Sequence, residues 1–399
     1  MQEEKFPYID RLDETVLDEA ILRFGTPTYV FDVEQAKKRA RAFRGIIGQA
    51  ADLCYAMKAN PFLVRAMAEE VNRIEVCSMG EFRICKQKEI PAEKLLISGV
   101  MKDRDDLWEI LETYGNRCHY TIESLNQYAI LNEWARSSGK KVPVYLRLTS
   151  GNQFGMDEET LTNIVELEQD KDLLEICGIH YFSGTQKKRK KTLEELTYLD
   201  EVFARLKEKT GYQVTELEYG PGLAVPYFAR QADERFETLE DIADALAKMQ
   251  WQGKVTLEMG RAFVADCGYY ITTVKDTKRS GDQNYCIIDG GMHQVNYDGQ
   301  IRGMYQPKLT IRPQGARGIY QNWTICGELC TGNDILVQNI KIDDLRVGST
   351  IIFENTGAYA VTEGMALFLS HVLPSVVLYD PVGGFTQVRA RRETYVWNS

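Results

Sequence analysis

The chain has 399 residues, 44% of them hydrophobic and 27% charged, and a formal net charge of -10. That is the composition of a soluble globular protein, in a chain longer than one ordinary domain, so one large barrel plus a second module is expected. The acidic balance argues against nucleic acid or an anionic membrane as the main partner.

Residues 1–10 carry charges and no apolar leader core, and no run approaches the ~18 apolar residues of a membrane span. A cytoplasmic location is the expectation. The nine cysteines form no C-x-x-C pair and no His-rich zinc spacing. Most therefore read as small buried residues in a reducing compartment, and no metal site is expected.

In chain order, residues 27–32 follow Gly25 and read as a strand leading into a barrel, with residues 1–24 packed on a C-terminal domain. From about residue 50, short β-rich runs alternate with helical patterns, the signature of βα units. The strands are predicted at 53–58, 74–78, 95–99, 118–122, 142–148, 176–182, 216–219 and 255–258. The helices are predicted at 63–71, 105–114, 125–137, 158–168, 193–209 and 239–248, with Ser124 and Thr192 as caps. These units favour an α/β fold with a closed (β/α)8 barrel over an open sheet.

Beyond Asp266 the texture becomes strand-rich with turn signals, at 269–275, 285–289, 309–311, 323–326, 335–338 and 350–354. That pattern reads as an antiparallel β domain. The expected division is 27–266 for the barrel, with 1–26 and 267–399 forming the β-rich domain.

The run Tyr55-Ala56-Met57-Lys58-Ala59-Asn60-Pro61 ends a strand on a lysine. Strand ends in such barrels face the active site, where an amine tethers an aldehyde cofactor. Taken alone, Lys58 reads as a solvated surface charge. Farther on, Gly220-Pro221-Gly222 forms a turn whose N–H groups suit a phosphate, although such a triplet is more often only a turn. Glu258-Met259-Gly260-Arg261 then puts a carboxylate, a glycine and a guanidinium at one rim. With pyridoxal phosphate as cofactor, Glu258 would keep the pyridine nitrogen protonated and favour carbanion chemistry. In the run 178–186, Phe182 suits stacking on a planar ring, and Ser183 and Gly184 suit donation to phosphate. His180 reads equally well as an interior histidine.

These runs resemble, in order and over almost the whole chain, the alanine-racemase-fold pyridoxal phosphate decarboxylases. Cys77-Ser78-Met79-Gly80-Glu81, Asp289-Gly290-Gly291-Met292, Cys330-Thr331-Gly332-Asn333-Asp334 and Gly357-Ala358-Tyr359 extend the match. The family includes diaminopimelate, ornithine and arginine decarboxylases.

The resemblance implies that Lys58 holds pyridoxal 5'-phosphate as a Schiff base and that Glu258 meets the ring nitrogen. It further implies that Gly220, Gly222, Gly260, Arg261 and Tyr359 hold the phosphate, with Phe182, Ser183 and Gly184 beside the cofactor. Cys330, with His180 in a catalytic supporting role, would act across a homodimer interface and return a proton to Cα. A thiol near Asp334 in a glycine-bearing loop is consistent with a proton donor, where a buried core cysteine is the default. Substrate contacts would fall on Arg147, His293, Arg302, Tyr305, Thr331 and Asp334.

The chain departs from the pattern at Thr331, where diaminopimelate and ornithine decarboxylases carry an acid facing the substrate's distal ammonium. A hydroxyl gives that cation no charged partner. Phe182 replaces a histidine, Met259 a proline, and the run 367–374 also differs. Together these features resemble a subgroup of specialised biosynthesis that includes a decarboxylase of glutamyl groups on acyl-carrier proteins, as in butirosin-type pathways. The expected activity is decarboxylation of an amino acid or of such a carrier-bound group. Three alternatives stand beside it: a diaminopimelate-type decarboxylase, a racemase of the same fold, and a catalytically silent binding relative. Racemases of this fold place an arginine, not a glutamate, at the ring nitrogen.

Overall fold

A computed structural model describes residues 11–313 and 318–399. Eight parallel strands close into a barrel, at Asp52–Ala56, Arg73–Val76, Leu95–Ile97, His119–Ile122, Val142–Leu148, Leu174–Phe182, Glu216–Gly220 and Lys254–Met259. The last strand pairs back to the first, Cys54 opposite Glu258 and Tyr55 opposite Met259. Each strand is covered on its outer face by helices, which is why a run such as Val142–Leu148 is buried at every position. Several of the helices start on side-chain caps: Ser78 accepts from the Glu81 N–H at 3.2 Å, Ser124 from Gln127 at 3.2 Å and Asp157 from Thr160 at 2.7 Å. Thr192, predicted as a cap, instead lies buried inside the helix Arg189–Thr210, whose apolar stripe starts a turn after the helix itself.

The barrel interior is not wholly apolar. Arg73, from the second barrel strand, donates to Tyr145 Oη at 2.9 Å and pairs with Glu218, which is fully buried. Burial disfavours the Arg73 cation, but Glu218 and Tyr145 outweigh it and hold its pKa raised. Burial pushes the Glu218 carboxyl up against the pull of Arg73. Breaking one partner of such a buried pair costs about 3–5 kcal/mol. Arg73→Met or Glu218→Leu alone is therefore expected to lower the thermal midpoint clearly, and the double variant to recover much of it. A double variant as unstable as the worse single one would show that the pair is not what holds these strands.

The described residues divide into two compact units, one of residues 40–225 with 234–262, the other of residues 11–39, 226–233, 263–313 and 318–399. The strand Thr28–Asp32 corrects the expectation that it leads into the barrel. It lies in the second unit's sheet, antiparallel to Gly268–Ser280 and parallel to Ser375–Asp380. All five of its residues are buried, so its composition matches a barrel strand although its neighbours differ.

The second unit holds a nine-stranded sheet. Gly268–Ser280 is its longest strand, pairing with Thr350–Glu354 near its start and with Gln283–Ile288 near its end. Of the segment 1–24 expected on this domain, residues 1–10 lie outside the described residues. The helix Glu14–Phe24 does pack there, with Leu17 and Ala20 in one cluster with Val30, Tyr269, Ile271 and Ile352. Among the described residues, no helix is long and apolar enough to cross a membrane.

Candidate active site at the barrel rim

The first barrel strand stops at Ala56, and Met57–Ala59 forms a single tight turn that carries Lys58. Asn60 ends that turn and its side chain accepts from the Phe62 N–H at 3.1 Å, so Lys58 sits just beyond the strand end. Its ammonium pairs with buried Glu75 and lies 3.5 Å from Cys77 Sγ and 3.8 Å from Glu258 Oε1. Glu75 and Cys77 come from the next strand and its loop, two contacts that spacing along the chain did not signal.

Glu258 is buried near the end of the last barrel strand. Burial alone would push its carboxyl up, but the Lys58 ammonium and His180 outweigh that and hold it below the ordinary carboxylate range. His180 Nε2 stands 3.1 Å from Glu258 Oε2 but not in a hydrogen-bonding orientation. Glu258 Oε2 and both His180 ring nitrogens are thus buried without a hydrogen-bond partner. Such groups are costly unless something completes them. His180 and Glu258 come from alternate barrel strands, the pattern by which barrel side chains share inward layers.

Beside them, Phe182 is opposite Gly220 in register. A Cβ on Gly220 would meet the Phe182 ring at 2.5 Å, and one on Gly222, at φ +61°, would meet the Gly184 carbonyl at 2.1 Å. Both glycines are required by this close approach. At Gly184 a Cβ would meet nothing within 4 Å, so space opens there. The Ser183 hydroxyl donates to Glu195, which also pairs with Lys187, and Lys187 Nζ donates to the Gly220 carbonyl at 3.2 Å. The proton expected to meet a phosphate is therefore already committed, leaving backbone N–H groups for that purpose. Arg261 begins the short helix Arg261–Val264 directly after Gly260.

Arg147, on the fifth barrel strand, donates to Glu123 at 3.0 Å, and Lys102 Nζ is 3.7 Å from the same carboxylate. Burial lowers the Lys102 pKa to about 8 against the pull of Glu123. Neither Lys102 nor Glu123 stood out in the sequence, because each gains meaning only from the other.

Residues 33–265 match the family described as pyridoxal-dependent decarboxylase, pyridoxal binding domain. The chain belongs to this family. It is 26% identical over 394 residues to a Niallia circulans decarboxylase of L-glutamyl-BtrI acyl-carrier protein, covering 92% of each. It is 27% identical over 382 residues to the diaminopimelate decarboxylase of Aquifex aeolicus, covering 88% of each. Its fold matches that of the diaminopimelate decarboxylase of M. jannaschii, solved with L-lysine, at a TM-score of 0.84 and 23% identity over 94% of this chain and 92% of that one. The alanine-racemase-type pairing of a barrel with a mostly antiparallel sheet domain is thereby established, as are the decarboxylase class and its pyridoxal 5'-phosphate cofactor. An amine, a buried carboxylate without a full set of partners, and a glycine turn beside open space suit that cofactor's aldehyde, ring nitrogen and phosphate.

The remaining predicted site residues lie in the second unit. Cys330 is exposed and Thr331 half-buried in a loop following Tyr320–Cys326. Asp334 is buried, and its carboxylate accepts the Met292 N–H at 2.8 Å and the Leu329 N–H at 3.0 Å. It fastens this loop to the Gly291 turn, and its acceptor atoms face the backbone rather than a ligand. Tyr305 is exposed, its ring 5.0 Å from that of Phe228, while Arg302 takes a left-handed conformation at φ 48°. Tyr359 likewise has a positive φ, 64°, uncommon for an aromatic residue and a sign that its position is held by its surroundings. His293 is buried.

Proposed function

We propose that this decarboxylase removes the α-carboxylate of an amino-acid group that carries no distal ammonium and is delivered on an acyl-carrier protein in specialised biosynthesis. The observation that carries the chemistry is the Lys58 ammonium beside the buried Glu258 carboxylate at the barrel rim, 3.8 Å apart. Bound pyridoxal phosphate supplies the sink for the electron pair released when the bond from Cα to the carboxylate breaks. Lys58 would tether the cofactor's aldehyde, and Glu258, its pKa held down chiefly by the Lys58 ammonium against its burial, would keep a proton on the ring nitrogen. His180 positions Glu258, Phe182 packs on the ring, and Gly184, Gly220, Gly222, Gly260, Arg261 and Tyr359 receive the phosphate.

Cys330 is proposed to return the proton to Cα in the active site of a second copy of the chain, its exposure in the single chain being consistent with a surface completed by dimerisation. Thr331 supports the substrate reading. Next to the proposed proton donor it presents a neutral hydroxyl, which cannot offset the cost of burying a distal ammonium. The carrier-bound substrate of the Niallia circulans relative has no such ammonium on its glutamyl side chain.

The diaminopimelate decarboxylases, at similar identity, favour a second reading in which a free diamino acid is the substrate. Release of CO2 from free amino acids and from glutamyl-loaded carrier proteins separates the two. Turnover of the loaded carrier at a kcat/KM at least about 100-fold above that of any free diamino acid is expected, a preference worth about 2.7 kcal/mol. Rapid turnover of free diaminopimelate, lysine or ornithine would refute the proposal.

A further inference from the structure

In the second unit, three side chains from well-separated parts of the chain converge. They are His293 in the turn after Gln283–Ile288, Glu328 in the loop after Tyr320–Cys326, and His371 ahead of Ser375–Asp380. Glu328 Oε1 stands 3.4 Å from His293 Nε2 and 3.2 Å from His371 Nδ1, and the two imidazole rings are 5.2 Å apart. All three donor atoms lie within 4.8 Å of one another. Among the described residues, no other group of three or more histidine, cysteine or acidic side chains meets that condition.

The spacing is that of ligands around one small cation. Zinc bonds of ~2.0–2.2 Å in tetrahedral array put neighbouring donor atoms roughly 3.3–3.6 Å apart, close to both nitrogen-to-oxygen separations. His293 adds a second, independent observation. It is 2% exposed, yet neither of its ring nitrogens has a hydrogen-bond partner, and Nε2 faces the Glu328 oxygen. A buried imidazole left so is costly, and a metal ion at the centre of the group would complete it.

Hydrogen bonds to the main chain around the three ligands hold these segments without using the ligand side chains. The Glu328 N–H donates to the Gly290 carbonyl at 2.8 Å, Gln294 Nε2 to the Val372 carbonyl at 2.9 Å, and Thr394 Oγ1 to the His371 carbonyl at 2.7 Å. A Cβ on Gly364 would meet the His293 carbonyl at 2.3 Å, so the chain also packs closely behind the turn. Such preorganisation is what a cation site requires.

We infer that His293, Glu328 and His371 form a divalent-cation site of two imidazoles and one carboxylate, suited to zinc, with one coordination position left for water or an anionic group. A cation there ties the Cys330 loop to the Gly291 turn and to the segment at His371. The sequence expectation of no metal site missed it because the ligands are spread over nearly eighty positions and share no local spacing.

The test uses tag-free holoenzyme, stripped by chelator and re-equilibrated with zinc, with metal counted by mass spectrometry. About one zinc per chain is expected, together with visible d–d bands of a low-coordinate site when cobalt(II) replaces zinc. Glu328→Gln and His371→Ala, checked for folding by circular dichroism and by retained cofactor absorbance, should each lower zinc affinity at least about tenfold and remove the zinc-induced rise in thermal midpoint. Cys330→Ser should leave the stoichiometry intact and the cobalt bands in place. Failure to retain zinc, unchanged binding in both ligand variants, or loss of the metal with Cys330→Ser would each overturn the assignment. All of these readouts are independent of turnover, so they stand or fall separately from the proposed substrate.

Discussion

Lys58→Ala is expected to abolish the visible absorbance of the bound cofactor and to reduce CO2 release by at least on the order of 10³-fold, because Lys58 is the amine held 3.8 Å from the Glu258 carboxylate at the strand end. The candidate alternatives do not serve. Lys187 is engaged with Glu195 and the Gly220 carbonyl, and Lys102 is buried against Glu123 and the Gly99 carbonyl. Reduction of the holoenzyme with borohydride followed by peptide mapping should mark Lys58 alone. Persistence of the absorbance band in the alanine variant would remove Lys58 from the site. Mixing Lys58→Ala with Cys330→Ala subunits also tests the proposed second copy. If each site draws Lys58 from one chain and Cys330 from another, mixed dimers carry one intact site, and activity should return to roughly a quarter of the native level under random pairing. No recovery on confirmed subunit exchange would place both residues within one chain's site.

Glu258→Gln should preserve cofactor binding while lowering kcat by about 10²–10³-fold, the range for removing one electrostatic contact made to developing charge. The substitution keeps the size of the side chain and removes its charge. Lys58 and His180 lie within 3.8 and 3.1 Å of that carboxylate, so their own environment changes as well. A purely structural role for Glu258 would show instead as weaker cofactor retention and a lower thermal midpoint, with kcat of the loaded enzyme little changed. The racemase alternative makes the opposite prediction for native protein, namely deuterium entering recovered substrate without CO2.

All eight barrel strands were legible in the sequence because short β-rich runs recur between stretches of helical periodicity, even where charged residues such as Arg73, Glu218 and Glu258 interrupt the apolar pattern. The same logic misassigned Thr28–Asp32. A strand buried at every position reads alike whether its neighbours belong to a barrel or to a sheet, and only its pairing with Gly268–Ser280 and Ser375–Asp380 separates the two. Ser375–Asp380 and Gly384–Arg389 went unread as strands, the latter because none of its residues is buried and it lacks a clear apolar alternation.

Residue identity and order along the chain determined the family, the cofactor and the candidates Lys58, Glu258 and Cys330, since an amine, a carboxylate and a thiol carry their chemistry wherever the fold places them. Tertiary structure alone decided what each of these groups faces. It set Glu75 and Cys77 against Lys58 and left Glu258 and His180 incompletely partnered. It committed Ser183 to Glu195 and Asp334 to backbone N–H groups, and it gathered His293, Glu328 and His371 around one point. Those effects depend on distances of a few ångströms between residues tens to hundreds of positions apart, and Coulomb and hydrogen-bond energies fall away too steeply for sequence separation to stand in for distance.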